Sequence, residues 1–220
     1  MTKTIVTQGA STWRKSAVQR RSRRSEMALA RAARELLDER TYTEIRVDEV
    51  ARRAGVSVGG FYARFHGKSA LLHLADIDFL DACLDAFDRA VPEGFVGGPE
   101  EVFQSFVSVM VHQFQEHRRA ILQAMRHAGP GDEKGFQERA AAFNRHVHGR
   151  LRRLLRRCEA EIQHPDPSTA ANLAIFFASS AARDAVLRGS LAAYPVSLGP
   201  DDLVNEIVRA ATLYLTGGVS

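Results

Sequence analysis

Leu29, Ala33, Leu36 and Leu37 recur at helical spacing and mark one face of a helix that should end near Arg40, with Ser25 placed to cap its start. Ahead of it, through Ser22, no periodicity is sustained, and the stretch reads as a mobile arm. Val47, Val50, Ala51 and Ala54 fall at i, i+3, i+4 and i+7 and predict a short second helix. Gly55 supplies a tight turn after it. Ser57 can cap a third helix, which turns Phe61 and Phe65 inward with Tyr62 beside them. From Lys68 the helices lengthen: Ile77, Leu80, Leu84 and Phe87 form a stripe that must stop before Pro92. "PEGFVGGP" is a loop. Residues 100 to about 116 are helical and rich in Phe, Val and Met, and 117–127 form another helix beyond a kink. "GPGD" breaks the chain. Residues 132–163 predict one long helix bounded by Pro165 and Pro167, 168–188 a helix with many small residues, and 201–216 a last helix after the loop "YPVSLGP". No segment alternates as a strand would, and no internal repeat occurs. The fold class is all-α: a small basic unit to about Lys68, then a larger bundle.

Composition narrows the class. At 220 residues and 45% hydrophobic, the chain is long enough for a real core, and wholesale disorder is excluded. Cys83 and Cys158 lie far apart without a CxxC partner, so no disulfide framework or zinc site follows and a reducing compartment is expected. The basic start is not followed by the apolar segment of a signal peptide. No apolar run approaches the ~20 residues of a membrane span. These readings place the protein in the cytoplasm. The net charge of +4 is unevenly spread: Lys3, Arg14, Lys15, Arg20, Arg21, Arg23 and Arg24 precede the first acid, Glu26. A basic front on an acidic body suggests a polyanion partner for the front alone.

Two short helices joined by a glycine turn suit a helix-turn-helix, whose second helix enters the DNA major groove. The string "VDEVARRAGVSVGGFYARFHGKSALL" carries more: Val50-Ala51, Ala54-Gly55-Val56-Ser57, Gly59, Phe61-Tyr62, Phe65, Lys68 and Leu71 stand in register with one family's pattern. It resembles the start of the tetracycline-repressor (TetR) family of bacterial transcription regulators. The upstream helix and Tyr42 fit as well. Departures are Thr41 where the family often has Gly, Arg46 where Thr or Ser usually opens the second helix, Gly67 in place of a polar cap before Lys68, and Gly60 where a small hydroxyl or alanine is common. The resemblance implies an N-terminal three-helix DNA-binding domain and a larger C-terminal helical bundle for ligand binding and dimerisation. The expected boundaries are a basic flexible arm at 1–22, the helix-turn-helix domain at 23–68, and the ligand-binding and dimerisation domain at 69–220.

Phosphate contacts fix affinity and register, and base-edge contacts carry sequence. Tyr62 can rest its ring on the motif's core and offer its hydroxyl to a phosphate. Lys68 stands at a helix N-terminus, where backbone N–H groups also favour an anion. Arg46 and Arg64 are candidates for phosphate or for guanine, which arginine grips with two hydrogen bonds. Ser57 caps the recognition helix. Val58 either packs inward or touches a thymine methyl. Gly59 and Gly60 would let the helix backbone lie close to the bases. Phe61 and Phe65 read as core. The arm reads either as a solubilising tail or as a DNA-tracking arm, and its place just before the first helix favours DNA. Its Trp13 is unexplained, and such an arm can also touch a membrane surface.

In the bundle, Phe103, Phe106, Val107, Met110 and Phe114 recur on adjoining faces, and Met125, Phe143, Phe176 and Phe177 add bulk. Such stripes are more often ordinary core than a ligand box. The resemblance implies an inducer cavity between the middle helices, for which Phe106, Met110, Phe114, Met125, Phe143, Asn172, Phe176 and Phe177 are the candidate lining. Arg126, His127, Asn144 and Asn172 could orient a ligand. The run "GRLRRLLRRCEAE" reads as a solvated face or as a partner for Asp78, Asp81, Asp85 and Asp88. His146 and His148 lie on different helix faces, so a metal pair is not expected. No phosphate loop, nucleophile elbow or dinucleotide fingerprint appears, and neither cofactor, metal nor enzymatic activity is expected.

The reading is a dimeric, ligand-responsive transcription regulator of repressor type, released from a palindromic duplex operator by a small apolar or amphipathic inducer. It involves no membrane. The last two helices would form the dimer interface through Ala170, Ala171, Ala174, Ala178, Ser179 and Ala182. The alternatives are an all-helical enzyme, which would need convergent acids or bases in one pocket, and a membrane-surface or interaction module using the basic arm.

Overall fold

The computed structural model describes residues 16–127, 133–193 and 197–217, and among these every element is helical. The helices are α1 (Ser16–Glu39), α2 (Val47–Arg53), α3 (Val58–Tyr62), α4 (Ala70–Ala90), α5 (Pro99–Glu116), α6 (Arg118–His127), α7 (Glu133–Arg157), α8 (Pro167–Arg183) and α9 (Pro200–Thr216). They form two compact units, one drawn from 1–78 and 123–142, the other from 79–122 and 143–220.

The first unit closes around Leu29, Ala33, Leu36, Leu37, Ile45, Val50, Ala51, Phe61, Leu71 and Leu72, all buried. Its helix starts and stops follow local chemistry. Gly55 adopts the left-handed φ of +67° that ends α2, a conformation L side chains rarely take. Ion pairs stitch the end of α1 to α2: Arg53 to Glu39 at 2.6 Å, and Arg40 to Glu49. Arg34 joins α1 to α4 through Asp78 at 2.6 Å.

The second unit packs α5 against α8 and α9, with Phe87, Phe103, Phe106, Leu151, Leu155, Ile175 and Leu215 in one core cluster. Proline opens α5, α8 and α9, where its missing N–H costs nothing. The Asp166 carboxylate caps α8 by accepting from the Thr169 N–H at 3.0 Å, and the Thr169 hydrogen bonds hold that carboxyl below its usual range. Arg150 of α7 lies buried beside the end of α4, donating to the Val91 carbonyl at 2.9 Å and pairing with Asp88 at 2.8 Å; His146 meets the same carboxylate at 2.9 Å. The basic run therefore places at least one of its arginines on the acidic stripe of α4. Beyond α8 the chain makes one π-helical turn, Asp184–Arg188, closed by Gly189 at a left-handed φ of 63°. The Arg118 guanidinium donates to the Val186 carbonyl at 2.8 Å and the Leu187 carbonyl at 3.3 Å within it.

Three expectations change. Helix α1 begins at Ser16, so the last residues of the expected flexible arm are helical and Ser25 lies inside the helix rather than at its cap. Residues 1–15, Trp13 among them, lie outside the described residues. Helix α7 ends at Arg157, short of 163: a 3₁₀ turn at Glu159–Glu161 follows, and the Gln163 N–H leaves to meet the Leu215 carbonyl at 2.8 Å. The small residues of α8 do not form an outer face. Ala170, Ala171, Ala174, Ala178 and Ala182 are buried in their own chain, where small side chains let α5 and α9 approach closely. Ser179 is half-buried and its hydroxyl donates to the Ile175 carbonyl at 2.6 Å. The outward face of α8 carries Leu173, Phe176 and Phe177 instead.

Candidate nucleic-acid interface

Helices α2 and α3 are joined by a four-residue turn that closes on backbone hydrogen bonds, with the Val56 N–H meeting the Ala51 carbonyl at 2.9 Å and the Gly55 N–H meeting that of Arg52 at 3.1 Å. Ser57 then starts α3: its hydroxyl accepts from the Gly60 N–H at 3.0 Å, satisfying one of the free donors of the first turn. Phe61 seats the helix in the core, with its ring 5.2 Å from Phe65 and 5.3 Å, edge-on, from Tyr62. Phe65, past the end of α3, is half-buried.

The outer side of this short helix is nearly bare. Val58 is 40% and Tyr62 55% exposed, and Gly59, Ala63 and Arg64 are also exposed. A side chain at Gly59 would meet nothing within 4 Å. Gly60 differs: it is half-buried, and a methyl there would stand 3.1 Å from the Ser57 hydroxyl and 3.2 Å from a Val56 methyl. The two glycines thus face different surroundings, and only Gly59 looks into open space. Val58 does not pack inward.

Two sequence candidates have partners within the fold. Arg46 is exposed but pairs with Asp48 at 3.0 Å, which lowers the Asp48 carboxyl. The Lys68 ammonium donates to the Thr43 carbonyl at 3.1 Å and sits 4.6 Å over the Tyr42 ring, and burial lowers its pKa. It pins the loop after α1 to the start of α4. On the far side Tyr42 stacks on His127 of α6 at 5.2 Å.

The chief residue that sequence reasoning passed over is Gln123. Buried in α6, it donates to the carbonyls of Leu37 at 2.6 Å and Arg40 at 2.7 Å, and its amide oxygen accepts from the Tyr42 N–H. A side chain from α6 thereby satisfies the end of α1 and orders the loop leading to α2. A glutamine within an amphipathic helix gives no sequence signal of this.

The candidate ligand residues are brought together only in part. Phe106 and Phe114 are buried in the second unit, and Met110 and Phe143 pack half-buried against the same cluster. Met125 is 58% exposed and belongs to the first unit. Phe176 and Phe177 are exposed, and Asn172 is exposed with its amide donating to the Ser168 carbonyl at 2.9 Å. A shallow recess of about 60 Å³ lies between the end of α7 and the start of α8, over Leu155, Ile162 and Ala171, and none of these candidates lines it. Among the described residues no group of acids, histidines and cysteines is arranged to hold a metal, and no helix is long and apolar enough to cross a membrane.

Residues 29–75 match the family model for bacterial regulatory proteins of the tetR family. The chain is 34% identical over 93 residues to the HTH-type transcriptional regulator EthR of Mycolicibacterium smegmatis, a match that spans 42% of either protein. Its fold is similar to a TetR/AcrR-family transcriptional regulator from Thermobifida fusca (TM-score 0.59, 21% identity, 86% of this chain and 96% of that one). It is also similar to the fatty acid degradation regulator FadR from Bacillus halodurans (TM-score 0.58, 15% identity, 86% and 94%). At these identities the structural likenesses establish the fold.

Proposed function

We propose that this chain, whose residues 29–75 match the tetR-family model, is a DNA-binding transcriptional regulator, a homodimeric repressor that leaves a palindromic operator when a small apolar or amphipathic molecule binds its C-terminal bundle. The observation that carries the reading is the helix-turn-helix itself. A capped α3 is anchored by Phe61 and leaves Val58, Gly59, Tyr62 and Arg64 outward, the shape and chemistry needed to enter a major groove. Residues 23–68 would be the reading domain and 69–220 the ligand-binding and dimerisation domain, in the cytoplasm. The family and the EthR likeness point to regulation rather than to an enzyme.

Two features support the finer parts. The exposed Leu173, Phe176 and Phe177 of α8 and Leu213 of α9 lie within one unit, with Phe177 5.9 Å from Tyr214, and make an apolar face suited to a second copy. The aromatic interior around Phe106, Phe114, Met110 and Phe143 is the place for an apolar ligand. Binding there would favour one of two populations of the dimer, only one of which fits both half-sites. Selection of bound duplexes from a random pool tests the reading: a two-fold symmetric sequence should be enriched. Recovery of no preferred sequence would refute it.

A further inference from the structure

We propose that the first turns of α1 form a second phosphate-binding element, a basic helical rod that lies along the DNA backbone beside the site read by α3. This rests on the DNA-binding reading above. Helix α1 starts at Ser16, and among its described side chains the first buried one is Leu29; none of 22–28 is buried, and Arg23, Arg24 and Met27 are exposed. Residues 16–28 carry the helix backbone about 20 Å ahead of Leu29 at 1.5 Å per residue. Such a rod matches roughly six phosphates along one strand at 3.4 Å each.

Among the described residues, some cations of the first unit are paired and others, Arg31, Arg52 and Arg64 among them, are not. Arg34, Arg40, Arg46 and Arg53 each meet a carboxylate. Arg23 and Arg24 are exposed, and among the described residues neither has a hydrogen-bond or ion-pair partner. The helix has no acid in its first turn, and Arg20, Arg21, Arg23 and Arg24 follow within its first nine residues. That arrangement opposes helix formation: Arg20–Arg24, Arg20–Arg23 and Arg21–Arg24 are like charges at i+4 or i+3. A polyanion removes that penalty. Lipid is the poorer partner, because "SAVQRRSRRSEMA" carries no continuous apolar stripe to enter a bilayer surface.

The test compares the full chain with Arg20→Gln/Arg21→Gln/Arg23→Gln/Arg24→Gln on a random-sequence duplex across a salt series. Glutamine keeps the helix propensity, and a double variant, Arg23→Gln/Arg24→Gln, guards against misfolding of the quadruple one. Each phosphate contact adds about 0.9 to the slope of log K against log salt, so the quadruple variant should lose about 2–4 from the slope and the double variant about half of that. The sequence selected from a random pool should stay the same. Far-UV circular dichroism of the wild type should gain helicity on adding the duplex, and the quadruple variant should not. A wild type that selects an operator while both variants keep its slope overturns the proposal alone. A wild type that binds no duplex overturns it together with the reading it rests on. Loss of binding in the variants confined to phosphatidylserine vesicles would assign the rod to lipid and overturn it as well.

Discussion

Adding one methyl group to each glycine of α3 should separate packing from recognition. At Gly59 the new carbon meets nothing within 4 Å, so Gly59→Ala gains the helical preference of alanine, up to about 1 kcal/mol, with no steric cost. For a chain of this size that is a rise in melting temperature of about 2–4 °C. At Gly60 the same gain is opposed. The methyl would press at 3.1 Å on the Ser57 hydroxyl, the group that accepts the Gly60 N–H at 3.0 Å. Moving that hydroxyl weakens a cap whose loss costs about 1 kcal/mol. Gly60→Ala should therefore leave the melting temperature near wild type or lower it. In duplex binding the order reverses. Gly59 is exposed on the outer side of α3, so its methyl would stand between backbone and groove, and Gly59→Ala should weaken operator binding about tenfold or more. Calorimetry and a fluorescence anisotropy titration of both variants suffice. A Gly59→Ala protein that melts higher and binds as tightly as wild type would refute close approach of α3. A Gly60→Ala protein stabilised by the full 1 kcal/mol would refute the steric account of the cap.

Gln123→Leu leaves the carbonyls of Leu37 and Arg40 and the Tyr42 N–H without the partner they now have, and should cost about 2–4 kcal/mol in urea unfolding; an unchanged midpoint would show that Gln123 orders nothing. Asp76 is desolvated in α4, which raises its carboxyl from 3.8 to about 7. Ionising it therefore opposes folding: stability should be highest below pH 4 as far as this group is concerned and fall as pH rises through about 7, by on the order of 4 kcal/mol. Asp76→Asn should flatten that fall, and a wild-type slope retained in the variant would exclude the assignment. Phe176→Ser/Phe177→Ser should yield soluble monomers with intact helicity in sedimentation experiments. Ala178→Arg, by contrast, places a charge in the core of its own chain and should unfold it; a folded Ala178→Arg monomer would reverse the orientation assigned to α8.

Most element positions were legible because proline, glycine and caps mark them: Pro99, Pro167 and Pro200 open helices, and Gly55 and Ser57 bracket the turn before α3. The start of α1 was not, since its arginine-rich sequence has no apolar period to detect. Helix α8 posed a different problem. Its small residues and its large ones each trace a helical stripe, and the sequence alone does not say which faces inward. Packing against α5 and α9 selects the alanines. In the reading head, the motif located the exposed residues, but it could not tell a free arginine from one held by Asp48, nor foresee that Lys68 turns to Thr43 and Tyr42. Such pairings depend on which loops meet, and short-range patterns are silent about them.

The π-helical turn at Asp184–Arg188 bears on how this chain is aligned with others. A π turn holds one residue more than an α turn, and Val186 and Leu187 are both buried within this one while Arg118 occupies their carbonyls. Single-residue length differences between homologous proteins are ordinarily assigned to loops. Here an inserted residue can be absorbed inside a helix, and a gap moved into the neighbouring loop would misname every equivalence between the two points. A deletion of one residue within 184–188, paired with Arg118→Gln, would be the natural route back to a continuous α-helix.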